Sequence, residues 1–152
     1  MRKEARAKAQ DLLARREHSR VELTRKLEAR GFDRAVVADV LDVLERERLL
    51  SDARFSEQFA HQRAERGHGP LKILNELAQR GIDEDTAREY VNLLDPVWFE
   101  RALKAKSKRF GRAPPSNLKD RARQSRFLAQ RGYTADQTAK ALGAGESDEE
   151  TE

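Results

Sequence analysis

The sequence predicts an all-α protein built from three tandem three-helix repeats, and three observations carry that expectation. A short phrase recurs as Leu27-Glu28-Ala29-Arg30-Gly31-Phe32, Leu77-Ala78-Gln79-Arg80-Gly81-Ile82 and Leu128-Ala129-Gln130-Arg131-Gly132-Tyr133. Its glycines lie 50 and 51 residues apart, a period typical of stacked supersecondary units that share a core between neighbours. Apolar residues flank each phrase at helical spacing, and no alternating β-pattern competes with them.

The first repeat, residues 1–50, opens on a helix over 3–16 that carries Ala9, Leu12 and Leu13. Ser19 and Glu22 then form a capping box ahead of Leu23 and Leu27. Gly31 suits the left-handed C′ position that ends this helix, and Arg30 sets a positive charge at the negative end of its dipole. Asp33 is the next N-cap, with Phe32 stapled onto Val37, and the exit helix shows Val36, Val37, Val40, Leu41 and Leu44.

The second repeat, 51–95, repeats the scheme. Ser51 caps a helix over 52–66 with Phe55 and Phe59, and Gly69-Pro70 places proline at N1 before Leu71, Ile73, Leu74 and Leu77. Gly81 makes the corner, and Asp83 starts an exit helix with Ala87, Tyr90, Val91 and Leu94. In the third repeat, 96–142, Asp95 is the cap and Pro96 the N1 proline of a helix over 97–110 with Trp98, Phe99, Leu103 and Phe110. The next helix follows Pro114-Pro115-Ser116 and carries Ala122, Phe127 and Leu128. After the Gly132 corner, a Thr134–Gln137 capping box opens a short last helix with Thr138, Ala139, Ala141 and Leu142, expected to end at Gly143. Residues 143–152 hold five acids and no apolar residue beyond Ala144, so a disordered acidic tail is expected there. Such a tail either only solubilises the chain and touches nothing, or folds back transiently and screens the basic residues before it.

Composition narrows the function. The chain of 152 residues has no cysteine, which excludes disulfides, thiolate metal sites and cysteine nucleophiles and fits a reducing cytoplasm. The charged start, Met1 to Arg6, leads into no apolar run, so neither a signal peptide nor a membrane partner is expected. His18, His61 and His68 are isolated, and Gly67-His68-Gly69-Pro70 lacks the Gly-Lys-Ser/Thr that would cradle a phosphate. No catalytic, cofactor-binding or metal-binding residues are expected, and the protein is not read as an enzyme. The aromatic residues Phe55, Phe59, Tyr90, Trp98 and Phe99 lie on apolar stripes, which favours core packing over a base-stacking platform.

The net charge of +4 conceals a strong polarity: +5 over 1–32, −5 over 33–95, +9 over 96–142 and −5 in the tail. Between 104 and 126 the chain sets Lys104, Lys106, Lys108, Arg109, Arg112, Lys119, Arg121, Arg123 and Arg126 against the single acid Asp120. A solvated face normally mixes signs, so this stretch is the principal candidate for binding an acidic partner. Arg15, Arg16, Arg20, Arg25 and Lys26 are expected to assist, and Arg63 and Lys72 are weaker candidates in the acidic middle. Gly31, Gly81 and Gly132 are structural corners.

The run Arg16 to Leu23, Ser51-Asp52-x-Arg54-Phe55, Gly69-Pro70-Leu71-Lys72-Ile73, Glu76-Leu77 and Arg80-Gly81 resemble the RecX family, in that order and spacing. The resemblance implies an elongated, curved array of three-helix repeats. It also implies a monomeric bacterial cytoplasmic regulator with no cofactor, engaged in DNA repair, recombination and the SOS response. Its partner would be the RecA filament, whose extension it restrains, lowering recombinase, ATPase and coprotease activity. The alternative is a direct nucleic-acid-binding protein that uses its helix-turn-helix corners and basic third repeat on single- or double-stranded DNA.

Overall fold

In a computed structural model the backbone is described for residues 1–150 and the side chains for residues 1–143. Among the described residues there are nine α-helices and no strand: α1 Arg2–Arg15, α2 Arg20–Ala29, α3 Arg34–Arg46, α4 Asp52–Glu65, α5 Pro70–Gln79, α6 Glu84–Tyr90, α7 Val97–Phe110, α8 Leu118–Arg131 and α9 Ala135–Glu150. None of these is long and apolar enough to cross a membrane. The chain forms two compact units, one of residues 1–59 and 76–90, the other of residues 60–75 and 91–152.

All three Arg-Gly phrases end their helices in the same way. Gly31, Gly81 and Gly132 have φ of 91°, 77° and 100°. At each, the glycine N–H reaches back three residues and the following N–H reaches back five, as in Phe32 N–H to Leu27 O (3.2 Å), Ile82 N–H to Leu77 O (3.1 Å) and Tyr133 N–H to Leu128 O (3.2 Å). This is the Schellman arrangement, and it satisfies carbonyls that a helix end would leave open. A fourth instance, not foreseen from the sequence, closes α4 at Gly67 (φ 91°), with His68 N–H on Arg63 O.

In the first unit, Ala5, Ala9 and Leu12 of α1 pack with Leu23, Leu27, Val37, Val40, Leu41, Leu44 and Leu50, and Leu13, Phe32 and Val36 lie partly buried against them. Ser19 ties this core to the Gly81 corner. Its hydroxyl accepts from Glu22 N–H (3.1 Å) and donates to Arg80 O (2.8 Å), while Glu22 Oε1 accepts the Ser19 N–H. The second joint runs from Ser51 to Phe55. Ser51 Oγ accepts from Arg54 N–H, and Asp52 Oδ1 accepts from Arg20 N–H (2.8 Å) at the start of α2. The Arg54 guanidinium donates to Glu17 (2.6 Å) and to Arg48 O and Leu49 O, and so locks a turn in which Arg48 has φ 62°.

The second unit is built likewise. Trp98 and Ala102 of α7 are buried with Leu128, Tyr133, Ala141 and Leu142, and α7 packs on both α8 and α9. The Gly132 corner meets the start of α5: Leu71 N–H donates to Gly132 O (2.9 Å) and Gly69 N–H donates to Arg131 O (2.6 Å). Tyr133 Oη donates to Gly67 O (3.1 Å).

Several boundaries differ from expectation. Asp33 precedes α3 without a side-chain cap bond, whereas Asp83 accepts Thr86 N–H (2.8 Å) and the Thr134–Gln137 box forms in both directions. Pro96 occupies the N-cap of α7 rather than N1. Leu94, placed by periodicity on the α6 stripe, is 89% exposed because α6 stops at Tyr90. There Asn92 Oδ1 accepts from Leu94 N–H in a local turn, and the residue before Pro96 is disfavoured as helix. The α9 backbone continues past Gly143, where the sequence predicts a stop. The side chains of the expected acidic tail lie outside the described residues.

His18 is 2% exposed and sits at the first of these joints. Lys26 Nζ is 2.9 Å from its Nε2, and an ammonium only donates, so Nε2 accepts and Nδ1–H donates to Arg16 O (3.1 Å). Burial, with Arg16 and Lys26 nearby, pushes the imidazole below its ordinary pKa, outweighing the Arg16 carbonyl and Glu22. The unfolded chain therefore binds a proton that the folded chain refuses. Stability from this site is intact above the ordinary histidine pKa of about 6.5 and is lost as pH falls below it. Thermal melting is expected to drop between neutral and mildly acidic pH by more in this chain than in His18→Gln; parallel curves for the two would contradict the assignment.

Candidate partner-binding surface

The basic stretch of the third repeat divides by helical face. On α7, Trp98, Ala102 and Lys106 follow one another at four-residue steps and all turn inward. Lys106 is 1% exposed, and its ammonium donates to Gly111 O (2.8 Å) and Ala113 O (2.6 Å), fastening the α7–α8 connection. Burial lowers its pKa. It is therefore removed from the exposed binding residues on which the sequence placed it.

A separate face of α7 carries Arg101, Lys104 and Lys108, which with Arg109 line a cleft of about 420 Å³ in the second unit. Arg66 and Glu65 at the end of α4, and Phe127, Arg131 and Tyr133, complete it. Arg101 donates to Glu65 (3.2 Å), and this hydrogen bond, reinforced by the charges of Arg101, His61 and Lys104, holds the Glu65 carboxyl below its usual range. Burial pushes the Tyr133 phenol up, against the opposing charges of Arg101 and Arg131. The guanidinium carbons of Arg109 and Arg131 lie 5.4 Å and 4.9 Å from the Phe127 ring centre, within cation–π range. Phe110 meets Phe127 edge-on at 5.3 Å and carries Arg123 at 4.9 Å.

A second hollow, of about 360 Å³, is lined by Ser116, Asn117, Lys119, Asp120, Arg123 and Arg126. Asp120 organises it. Asp120 Oδ1 accepts from Arg123 (2.8 Å), Oδ2 from Ser116 N–H (2.9 Å) and Gln124, and Asn117 Oδ1 caps α8 through Asp120 N–H. The Arg123 hydrogen bond and the Ser116 N–H hold its pKa down at about 2. Arg112 and Arg121 line neither hollow; Arg112 is exposed and Arg121 half-buried.

The N-terminal cations are mostly engaged within the first unit. Arg15 pairs with Asp11 (3.3 Å), Arg16 with Glu22 (3.1 Å), and Arg20 with Asp42 (2.8 Å) and Glu45. Arg25 donates to Gln79 O, and Lys26 is the partner of His18. Of the two weaker candidates in the second unit, Arg63 is half-buried, and Lys72 is exposed with its backbone against Gly132. Sequence reasoning missed Arg66, Arg101, Arg131 and Phe127 as partners in one cleft. Arg101 was legible: it precedes Lys104 and Lys108 at three- and seven-residue steps, one helical face.

Three family models match the chain: RecX, first three-helix domain, over residues 5–44; RecX, second three-helix domain, over 51–91; and RecX, third three-helix domain, over 98–142. The chain is 42% identical over 139 residues to the regulatory protein RecX of Halorhodospira halophila, covering 91% of this chain and 86% of that one. It is 44% identical over 131 residues to the regulatory protein RecX of Chromohalobacter salexigens, covering 86% of each. In fold it is similar to the crystal structure of RecX from Lactobacillus salivarius, with a TM-score of 0.82 at 17% identity over 94% of this chain and 95% of that one. A crystal structure of regulatory protein RecX gives a TM-score of 0.80 at 19% identity, over 92% of this chain and 72% of that one.

Proposed function

This chain belongs to the RecX family of regulatory proteins, and from that premise we propose that it binds the RecA–DNA filament and restrains its extension, lowering recombinase, ATPase and coprotease activity. The observation that carries the reading is the family match running in order through all three helical domains. On this reading it acts in the bacterial cytoplasm as a monomer, each domain a repeat of the array, and its role is regulatory rather than catalytic.

The charge distribution supports a surface for the contact. The first unit sets its N-terminal arginines against its own carboxylates, whereas α7 and α8 leave Lys104, Lys108, Arg109, Lys119 and Arg126 exposed. Exposed single-sign charge steers association with an oppositely charged partner, and a filament presents both carboxylates and DNA phosphates. Several weak contacts along one filament reinforce each other through their high effective concentration.

The test is RecA-dependent ATP hydrolysis on single-stranded DNA, measured with filament length, alongside binding to bare DNA. Substoichiometric protein is expected to lower the hydrolysis rate and shorten filaments. Unchanged rate and length at a protein excess, with tight binding to bare duplex, would replace this reading with direct nucleic-acid binding.

A further inference from the structure

Beyond filament binding, we propose that the cleft lined by the end of α4, α7 and α8 in the second unit is a binding site for a compact polyphosphate, the run of phosphates carried by a nucleoside triphosphate or by inorganic tripolyphosphate. The cleft gathers Arg66, Arg101, Lys104, Lys108, Arg109 and Arg131 around about 420 Å³ and opposes them with the single carboxylate of Glu65. That density of positive charge is what distinguishes it from an ordinary solvated face.

Three of the cations are held in place before any ligand arrives. Arg101 is fixed by Glu65 at 3.2 Å, and Arg109 and Arg131 share the Phe127 ring. Guanidinium groups so held lose little further freedom on binding, and their planar forks match phosphate oxygens two at a time. Lys104 and Lys108, exposed on the α7 face, supply mobile point charges. Ala64, Ala105 and Phe127 are apolar members of the lining, and apolar surroundings strengthen each charge contact.

The compactness of the cleft selects among anions. A single strand carries one charge per nucleotide and an acidic peptide one per residue, so each brings few charges into this volume. Linked phosphates bring several charges within the same length and neutralise more of the six cations. Orthophosphate is too small to reach them together.

The proposal rests on this cleft and not on the filament, so its test contains no RecA. Calorimetric titration of the full chain with tripolyphosphate and with ATP, at low salt and without divalent cation, is expected to show saturable one-to-one binding, roughly ten-fold or more tighter than orthophosphate. Lys104→Gln together with Lys108→Gln, both at exposed positions, is expected to weaken it by about ten-fold with unchanged circular dichroism. Arg2→Gln with Arg15→Gln, exposed cations of the first unit, is expected to leave it unchanged. Equal affinity for the two ligands assigns the contact to phosphates alone, and tighter ATP binding adds its nucleoside; both support the site. Absence of saturable heat, equal loss in the two double variants, or displacement of tripolyphosphate by a short oligoglutamate or oligothymidylate at equal concentration would overturn it.

Discussion

Gly81→Ala is expected to cost about 2–4 kcal/mol of stability and Gly132→Ala at least as much, whereas Gly31→Ala costs about 1–2 kcal/mol. The three glycines share a left-handed backbone, so each substitution carries the same Cβ strain against the preceding carbonyl. They differ in what stands in front of them. A Cβ at Gly31 would meet nothing within 4 Å. At Gly81 it would overlap Val21, whose Cβ lies 2.6 Å from the added atom, in the place where Ser19 donates to Arg80 O. At Gly132 it would overlap Lys72, including the backbone nitrogen at 2.7 Å. Denaturant midpoints with unchanged slopes measure the losses. Because the Gly81 obstacle is a side chain, Val21→Ala should recover part of the loss of Gly81→Ala, and the two changes should be non-additive. Lys72→Ala should recover little of Gly132→Ala, since the obstructing backbone remains. Equal losses at all three glycines would show that the corners end helices but do not dock.

That contrast shows what the sequence revealed and what it withheld. The recurring Leu-x-x-Arg-Gly phrase disclosed three helix ends because the rule behind it is local: a Cβ-free residue, a positive charge at the dipole terminus and an apolar residue after it. The same phrase could not disclose that two of the ends press on the starts of α2 and α5, since those neighbours lie about sixty residues away in sequence. The motifs behind the family resemblance proved to be joints. Ser19, Glu22, Ser51, Asp52 and Arg54 hold the first unit together through caps and carbonyl contacts.

The basic stretch was legible as composition and illegible as direction. Counting charge from 104 to 126 treats Lys106 and Lys108 alike, yet Lys106 shares a face with Trp98 and Ala102, and Lys108 shares one with Arg101 and Lys104. Applying the 3.6-residue period to charged as well as apolar residues would have separated them. Arg66 and Arg131 belong to that cleft through tertiary packing around Tyr133 and Gly67, which periodicity does not encode.

Reversing Lys104, Lys108 and Arg126 to glutamate is expected to weaken filament binding by one to two orders of magnitude at low salt and to flatten its salt dependence. All three side chains are exposed and belong to the two basic hollows. If each meets a phosphate, the slope of log affinity against log salt loses about 0.7–0.9 for every contact removed, or about 2–3 for the set. Carboxylate partners give a shallower dependence, governed by screening rather than counterion release. The slope therefore reports which anion is met as well as whether the surface is used. Melting temperature should hold, because exposed charges contribute little to stability. The matched control reverses Arg15 and Arg25. Arg15 already pairs with Asp11, and Arg25 donates to Gln79 O, so the control is expected to lose little affinity and little slope. A triple variant that stays folded and binds with unchanged affinity and slope would mean that α7 and α8 carry a solvated face. Equal losses in both variants would mean that only net charge matters, with no surface preferred.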